Sequence, residues 1–462
     1  MRNRGFYSLL LLVLLTSSLF AGVMMQGFYW DVPAGGNWWN TMKNEAYGLR
    51  YMAGGKGINR IWFPPVSKSA GGGYSMGYDP YDYYDLGQYN QHGTTETRFG
   101  SQAELKAAIA QFKSYGISCM ADIVLNHRSG AASEHNPKTG GNTWTDFSGV
   151  QSGKAGWHWD SFHPNNHCGG DSDVFGGFPD VCYVAGSAHN DMRGWMDWLT
   201  DSSNAGFDSW RFDYVKGIHP WVVKNMKTTR YAIGEYWDAN VNTLDWWANA
   251  SEASVFDFAT YYQLKDICNN TGGGGYLPNL LDASKTYVNK NHWKAVTFVG
   301  NHDTDEIYTD KMLAYAFILT FKGYPCIFWK DYFNYGLASL GGKWGNGIKQ
   351  LVWVREKLAG GGPSIQYLKS DDGDCLIYGS YGSSSSSPGY IVVLNDHPTQ
   401  WKGHWVQTGN DYLKNKSLKC YAWYSPKKGE NDQPASKWCN STGFVEVWAP
   451  PRGYAVYAPD GL

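Results

Sequence analysis

The sequence predicts a closed (β/α)8 barrel with a small inserted domain after its third strand and an antiparallel β domain at its C-terminus. Three observations carry this. Eight short apolar or β-branched runs alternate with helix-like stretches, the pattern of a parallel sheet with helical crossovers. Asp213, Glu235 and Asp303 each stand just past the end of one of these runs, where barrel enzymes aim side chains into a cleft. The periodicity then changes character near residue 360.

The eight runs are Val23–Tyr29, Ile58–Phe63, Ile117–Leu125, Phe207–Phe212, Tyr231–Ile233, Ser254–Phe258, Ala295–Val299 and Pro325–Trp329. One intervening helix is marked residue by residue. Ser101 with Glu104 three positions later is a capping box. Leu105, Ala108, Ile109 and Phe112 follow at helical spacing and Gly116 closes the turn, so this stripe is expected to face the barrel. The third and fourth runs are about 80 residues apart, and the stretch between them is rich in Gly, Asn, Asp, His and Trp. That is too long for a connection and reads as an insert. After Gly360-Gly361-Gly362-Pro363, alternating runs at Tyr390–Leu394, Phe444–Trp448 and Tyr454–Tyr457 predict antiparallel strands, with Ser383–Ser387 as a hairpin tip or loop. The expected division is a signal peptide over 1–21, barrel over 22–126, a metal-binding insert (domain B) over 127–190, barrel again over 191–360 and a C-terminal β-sheet domain over 361–462.

The signal peptide rests on Arg2 and Arg4, the apolar run Leu9–Leu15 and the small residues around Ala21. That run is too short to span a bilayer, so an exported protein with no membrane anchor after cleavage is expected. A net charge of −2 gives no electrostatic footprint for nucleic acid. Aromatic residues make up 16% of the chain, more than a core of this size needs, and flat rings with a polar handle suit sugars. Export permits disulfides. Cys420 and Cys439 form the candidate pair in the C-terminal region, while Cys119 and Cys326 lie in apolar runs and are expected as buried thiols.

Carboxylates at strand ends point to glycoside chemistry, in which one carboxylate attacks and one carboxylic acid protonates. Arg211 and Asp213 are two apart and share a strand face. A fixed guanidinium keeps a neighbouring carboxylate ionised, as a nucleophile requires. Glu235 lies between Gly234 and Tyr236-Trp237, surroundings that hold an acid protonated. Asp303 follows Asn301-His302 and can raise the acid's pKa by like-charge proximity. Asn126-His127 ends the third run, an amide oxygen suited to a metal beside an imidazole suited to sugar hydroxyls.

Gly77-Tyr78-Asp79-Pro80, Asp122–His127, Gly206–Asp213 with Lys216, Gly234–Trp237 and Phe298–Asp303 resemble, in this order, the motifs of the α-amylase family, glycoside hydrolase family 13. Gly72–Asp82 and Phe175–Asp180 are similar to its archaeal extracellular members. The resemblance implies endo-hydrolysis of α-1,4-glucosidic bonds in starch, glycogen and maltooligosaccharides, with retention, by a secreted monomer. It implies Asp213 as nucleophile, Glu235 as acid/base and Asp303 as transition-state stabiliser. Arg211 would orient Asp213, His127 and His302 would bind sugar hydroxyls, Tyr78 would stack on the sugar, and Lys216 would meet the leaving-group side.

Asp171, Asp173 and Asp180 cluster in the insert, and hard oxygen donors suit Ca²⁺. The resemblance implies Asn126, Asp171 and Asp180 as calcium side-chain ligands, with Asp173 and Gly217 supplying carbonyls. His163, His167 and Cys182 match, with a shifted middle position, a Zn²⁺ site of the archaeal members, and a Cys168–Cys182 disulfide is the rival reading. Two readings rival hydrolysis. A transferase of the same family shares the glycosyl-enzyme, and a non-catalytic glucan-binding protein on the same scaffold would lack one or more of the acids, all of which are present.

Overall fold

The computed structural model describes residues 22–167, 175–184, 186–272, 275–340, 345–426 and 433–462. Eight strands close a barrel: β1 (Met24–Gln26), β2 (Arg60–Phe63), β3 (Ser118–Ile123), β4 (Ser209–Phe212), β5 (Tyr231–Gly234), β6 (Ser254–Phe256), β7 (Ala295–Phe298) and β8 (Tyr324–Phe328). Each pairs in parallel with its sequence neighbours, and β1 closes onto β8. All eight predicted runs became these strands, because a barrel strand is covered by helices outside and by packed side chains inside, and so stays apolar along its length. The run ending at Phe258 is shorter than expected: Asp257 accepts from Thr260 N and starts a helix.

Helix α1 (Trp38–Tyr51) follows β1, and α2 (Gln102–Ser114) precedes β3. The Ser101–Glu104 capping box forms as predicted, and Leu105, Ala108, Ile109 and Phe112 are the buried face of α2. Phe112 packs edge-on against Phe63 of β2, with ring centroids 5.8 Å apart. Helix α3 (Ala188–Thr200) leads into β4 and α4 (Pro220–Lys227) into β5. Helices α5 (Val241–Ser251) and α6 (Phe258–Asn269) follow β5 and β6. Helix α7 (Lys311–Thr320) is buried at every position from Met312 to Thr320. It is apolar all round because it lies between the barrel and the C-terminal sheet, where Tyr390 Oη donates to Thr320 O at 2.8 Å.

Between β3 and α3 the described residues carry a small hairpin, Ala132–Asn136 paired with Gly141–Asp146. Among the described residues the C-terminal part has eight strands: β9 (Ser364–Asp372), β10 (Cys375–Ser384), β11 (Ser387–Asn395), β12 (Lys402–Gln407), β13 (Lys416–Tyr424), β14 (Lys437–Cys439), β15 (Phe444–Ala449) and β16 (Gly453–Pro459). Six form one antiparallel sheet in the order β9-β10-β11-β16-β13-β14, and β12 pairs with β15. A separate apolar core lies between the two, with Ile377, Ile391 and Val393 meeting Val406, Val445 and Val447.

Cys119 and Cys326 are buried thiols, as expected. The Cys420–Cys439 pairing does not form, and both thiols are free. Cys439 on β14 lies opposite Lys416, four residues before Cys420 on β13, so the register holds the two sulfurs apart. No helix among the described residues is long and apolar enough to cross a membrane.

Candidate active site

Register places the acids. Asp122 of β3 pairs with Arg211 of β4, and Phe212 of β4 pairs with Gly234 of β5. Asp213 and Glu235 therefore leave the barrel one residue past the same rung, at the carboxyl ends of adjacent strands. Two local features hold this turn. Tyr214 adopts a left-handed backbone (φ 42°, ψ 51°) and its N–H donates to Glu235 Oε2 at 3.3 Å. A Cβ added to Gly234 would lie 1.9 Å from the Trp247 ring, so only glycine lets β5 approach α5 here.

One guanidinium joins three carboxylates. Arg211 is fully buried. Its Nη1 donates to Asp122 Oδ1 at 2.8 Å and to Asp213 Oδ1 at 2.7 Å. Its Nη2 stands 2.7 Å from Glu235 Oε1, an ion pair without hydrogen-bond alignment. Burial pushes the Glu235 carboxyl up to about 8 against the pull of Arg211, and the charges of Asp213, Asp303 and Asp122 add to the rise. Asp303 keeps 36% of its side chain exposed to the cleft. Desolvation still lifts it to about 6, opposed by Arg211 and aided by Asp213.

His302 is neutral, because burial and then the Arg211 charge hold its pKa well below the usual range. Gln26 Nε2 of β1 donates to its Nδ1 at 2.9 Å, which leaves the proton on Nε2, 3.1 Å from Asp303 Oδ2. The Tyr78 ring lies nearly parallel to His302 and to Trp30, at 5.1 and 6.0 Å. Trp30 is 47% exposed and widens this aromatic surface at the mouth of the cleft. Tyr78 Oη donates to Asp122 Oδ2 at 2.8 Å, as does Trp62 Nε1 at 3.0 Å.

The structure brings Asp213, Glu235, Arg211, Asp303, His302 and Tyr78 together. His127 follows Asn126 beyond the end of β3. It is fully buried and stacks on Phe175 with centroids 4.7 Å apart. Burial lowers its pKa, and the neutral ring donates from Nε2 to Tyr78 O at 2.8 Å. Its Nδ1 lies 3.4 Å from Asn126 Nδ2, so both nitrogens face protein. Lys216 stands at the rim, 3.7 Å from Asp238 Oδ2. Asp122, Gln26 and Trp30 are the residues that sequence reasoning missed as parts of the site. Only Asp122 left a signal, a charge inside an otherwise apolar strand.

The calcium residues are partly visible. Asn126 Oδ1 is buried with no hydrogen-bond partner, the orphaned oxygen a hard cation would satisfy. Asp180 is held close by, since Val181 N donates to Asn126 O at 2.9 Å and His127 bridges Asp180. Gly217 ends a 3-10 turn just after Asp213. Asp171 and Asp173 lie outside the described residues. The described donors fit calcium. Of the expected zinc donors, His163 is in side-chain contact with both Asp180, at 3.1 Å, and Cys182, while His167 is exposed and is not gathered with them into one group of ligand atoms among the described residues. Cys168, the rival disulfide partner, lies outside the described residues.

Comparison with known proteins agrees with this geometry. The family model for the α-amylase catalytic domain matches residues 48–221. The chain is 31% identical to the α-amylase of Bacillus licheniformis, over 86% of this chain and 88% of that one. It is 30% identical to a glucan 1,4-α-maltohexaosidase of Bacillus sp. (strain 707), over 78% and 82%. Its fold is similar to that of the Geobacillus thermoleovorans α-amylase solved with acarbose, with a TM-score of 0.66 and 15% identity over 95% of this chain and 97% of that one. An eight-stranded barrel carrying these motifs at its strand ends, with relatives alike over most of their length, places the chain in the α-amylase family, as a glycoside hydrolase.

Proposed function

We propose that the protein is an endo-acting α-amylase that cleaves α-1,4-glucosidic bonds in starch, glycogen and maltooligosaccharides with retention of configuration. The observation that carries this reading is the Arg211 guanidinium touching both Asp213 and Glu235. Two carboxyl groups that share one guanidinium favour the close approach of retaining enzymes, whose carboxyls stand about 5–5.5 Å apart.

Asp213, fixed through Oδ1, attacks the anomeric carbon while the bond to the leaving oxygen breaks. Glu235, protonated at neutral pH, delivers its proton to that oxygen. Glu235 then takes a proton from water, the water oxygen bonds to the same carbon, and Asp213 leaves, giving an α-anomeric product. Asp303, oriented by neutral His302, binds sugar hydroxyls and favours the positive charge that develops at the ring. Tyr78 and Trp30 offer the apolar faces. Asn126, Asp180 and, outside the described residues, Asp171 would hold a calcium, with Asp173 and Gly217 giving carbonyls. Holding it there, these residues would tie the insert to the barrel beside Asp213. The basic and apolar N-terminal segment supports export.

The test is early product analysis on soluble starch. Rapid loss of long chains with α-anomeric maltooligosaccharides is expected. β-Anomeric products would reject the double displacement, and larger or cyclic products without new reducing ends would favour a transferase.

A further inference from the structure

Away from the cleft and the insert, a sulfur, an imidazole and a carboxylate meet in the C-terminal part. The ligand atoms of Asp372, Cys375 and His404 all lie within 4.8 Å of one another. Three strands bring them together. Asp372 ends β9 and Cys375 starts β10, and the two pair across the Gly373-Asp374 turn. His404 comes from β12, two residues before Val406. Alternation along each strand fixes the side on which they meet. Leu376 and Tyr378 of β10 join the main core, where Tyr378 Oη is 2.7 Å from Thr320 Oγ1 of α7. Cys375 and Ile377 take the opposite face and enter the separate core between the two C-terminal sheets. Val406 enters that same core from β12, so His404 faces the gap from the other sheet. The three donors therefore meet between the two C-terminal sheets, on the side away from the barrel.

Local contacts orient them. Asp372 Oδ1 accepts from Asp374 N at 3.0 Å, and Oδ2 lies 2.9 Å from His404 Nε2. With its proton on Nδ1, the ring presents the Nε2 lone pair to a cation shared with Asp372. Cys375 is fully buried, and burial pushes its thiol up to about 12. It stays protonated until a cation displaces the proton. Lys402 Nζ stands 3.7 Å from Asp372 Oδ2 and 3.6 Å from Asp374 Oδ2, beyond hydrogen-bonding distance of both. Its flexible stem lets it turn to Asp374 when a cation takes Asp372.

We infer that Asp372, Cys375 and His404 form a transition-metal site of the zinc type, separate from the calcium ligands and from His163 and Cys182 of the insert. One sulfur, one imidazole nitrogen and one carboxylate oxygen select a borderline-soft ion over calcium. Three protein ligands leave the fourth tetrahedral position to water. On binding, the Sγ–H bond of Cys375 breaks as the Sγ–metal bond forms, the proton passes to solvent, and no electron is transferred. The ion would fasten the β9–β10 turn to β12 and so clip the two sheets together at one end of their shared core.

The probe is Co²⁺, whose near-ultraviolet charge-transfer absorption reports thiolate ligation. The full chain, with calcium supplied, is titrated as wild type, Cys375→Ser, Cys182→Ser and His404→Gln. Cys375→Ser is expected to bind one equivalent fewer than the wild type, and Cys182→Ser to keep a thiolate band. His404→Gln should weaken binding at this site by at least about tenfold, since a lost ligand costs no less than a lost outer-shell partner. Added Zn²⁺ should displace the Co²⁺ and raise the melting temperature of the wild type more than that of Cys375→Ser. Equal stoichiometry and band in the wild type and Cys375→Ser would overturn the site, as would a band lost in Cys182→Ser, which would assign it to the insert. If Cys375→Ser does not fold, His404→Gln, whose side chain is 32% exposed, decides instead, and unchanged Co²⁺ affinity there overturns the site.

Discussion

Burial, opposed by Arg211, sets the protonation states on which the proposed chemistry depends. Arg211 meets Asp122, Asp213 and Glu235 at once, and one guanidinium cannot offset three buried carboxylates. Burial lifts Asp122 to about 7 and Glu235 further, to about 8, against the pull of Arg211. The sign follows directly. Below that value Glu235 holds its proton and can act as the acid; above it the proton is lost and the first step fails. The kcat/KM profile on maltooligosaccharides should therefore fall on its basic side near pH 8. A profile flat to pH 10 would argue against Glu235 as the acid. Asp213→Asn keeps the shape and loses the nucleophile, so kcat should drop by about 10⁴-fold or more with the circular dichroism spectrum unchanged. The three acids were legible because each stands at the end of an apolar run. His127 was legible as a strand-end residue, but its burial under Phe175 was not, since that ring arrives from the insert, 48 positions later in the sequence. Gln26 and Trp30 join the site through tertiary contacts across the barrel mouth that no local pattern encodes.

At the scale of elements, the site depends on how closely strands and helices approach. Gly234 lets β5 pass under Trp247 of α5, and any side chain there must push the helix away or move Glu235. Gly234→Ala should cost about 1–3 kcal/mol of stability through overpacking and lower kcat, because the displaced backbone carries the acid. Ser101→Ala provides a contrast. It removes the capping box of α2 far from the acids, so about 1 kcal/mol should be lost with kcat unaltered, as denaturant melts paired with assays would show. The barrel strands and α2 could be found from sequence because their burial is periodic or continuous. The hairpin Ala132–Asn136 with Gly141–Asp146 could not, because most of its residues are open to solvent and nothing forces an alternation of apolar and polar positions.

Across the whole molecule, the insert reaches the catalytic rung through the end of β3. Asn126 continues that strand, pairs with Val181, and leaves Oδ1 without a donor. Asp180 lies one residue away on the returning chain and Gly217 four residues beyond Asp213. The order of barrel, insert, barrel and β domain was legible from spacing alone, because an 80-residue gap and a change of period are global features. The contact between insert and barrel was not, since it is made by single oxygens rather than by an apolar patch. An ion joining those oxygens would couple the stability of the insert to the placement of Asp213. Chelation should then lower melting temperature and kcat together, and added calcium should restore both with one common midpoint. At a hundredfold excess over Kd the ion contributes about 2.7 kcal/mol to the folded state. Asn126→Ala removes the orphaned oxygen and should shift that common midpoint to higher calcium by at least about tenfold, each tenfold step being roughly 1.4 kcal/mol of binding. A shift in the melting midpoint without a matching shift in activity would mean that the ion supports the fold but does not set the position of the nucleophile.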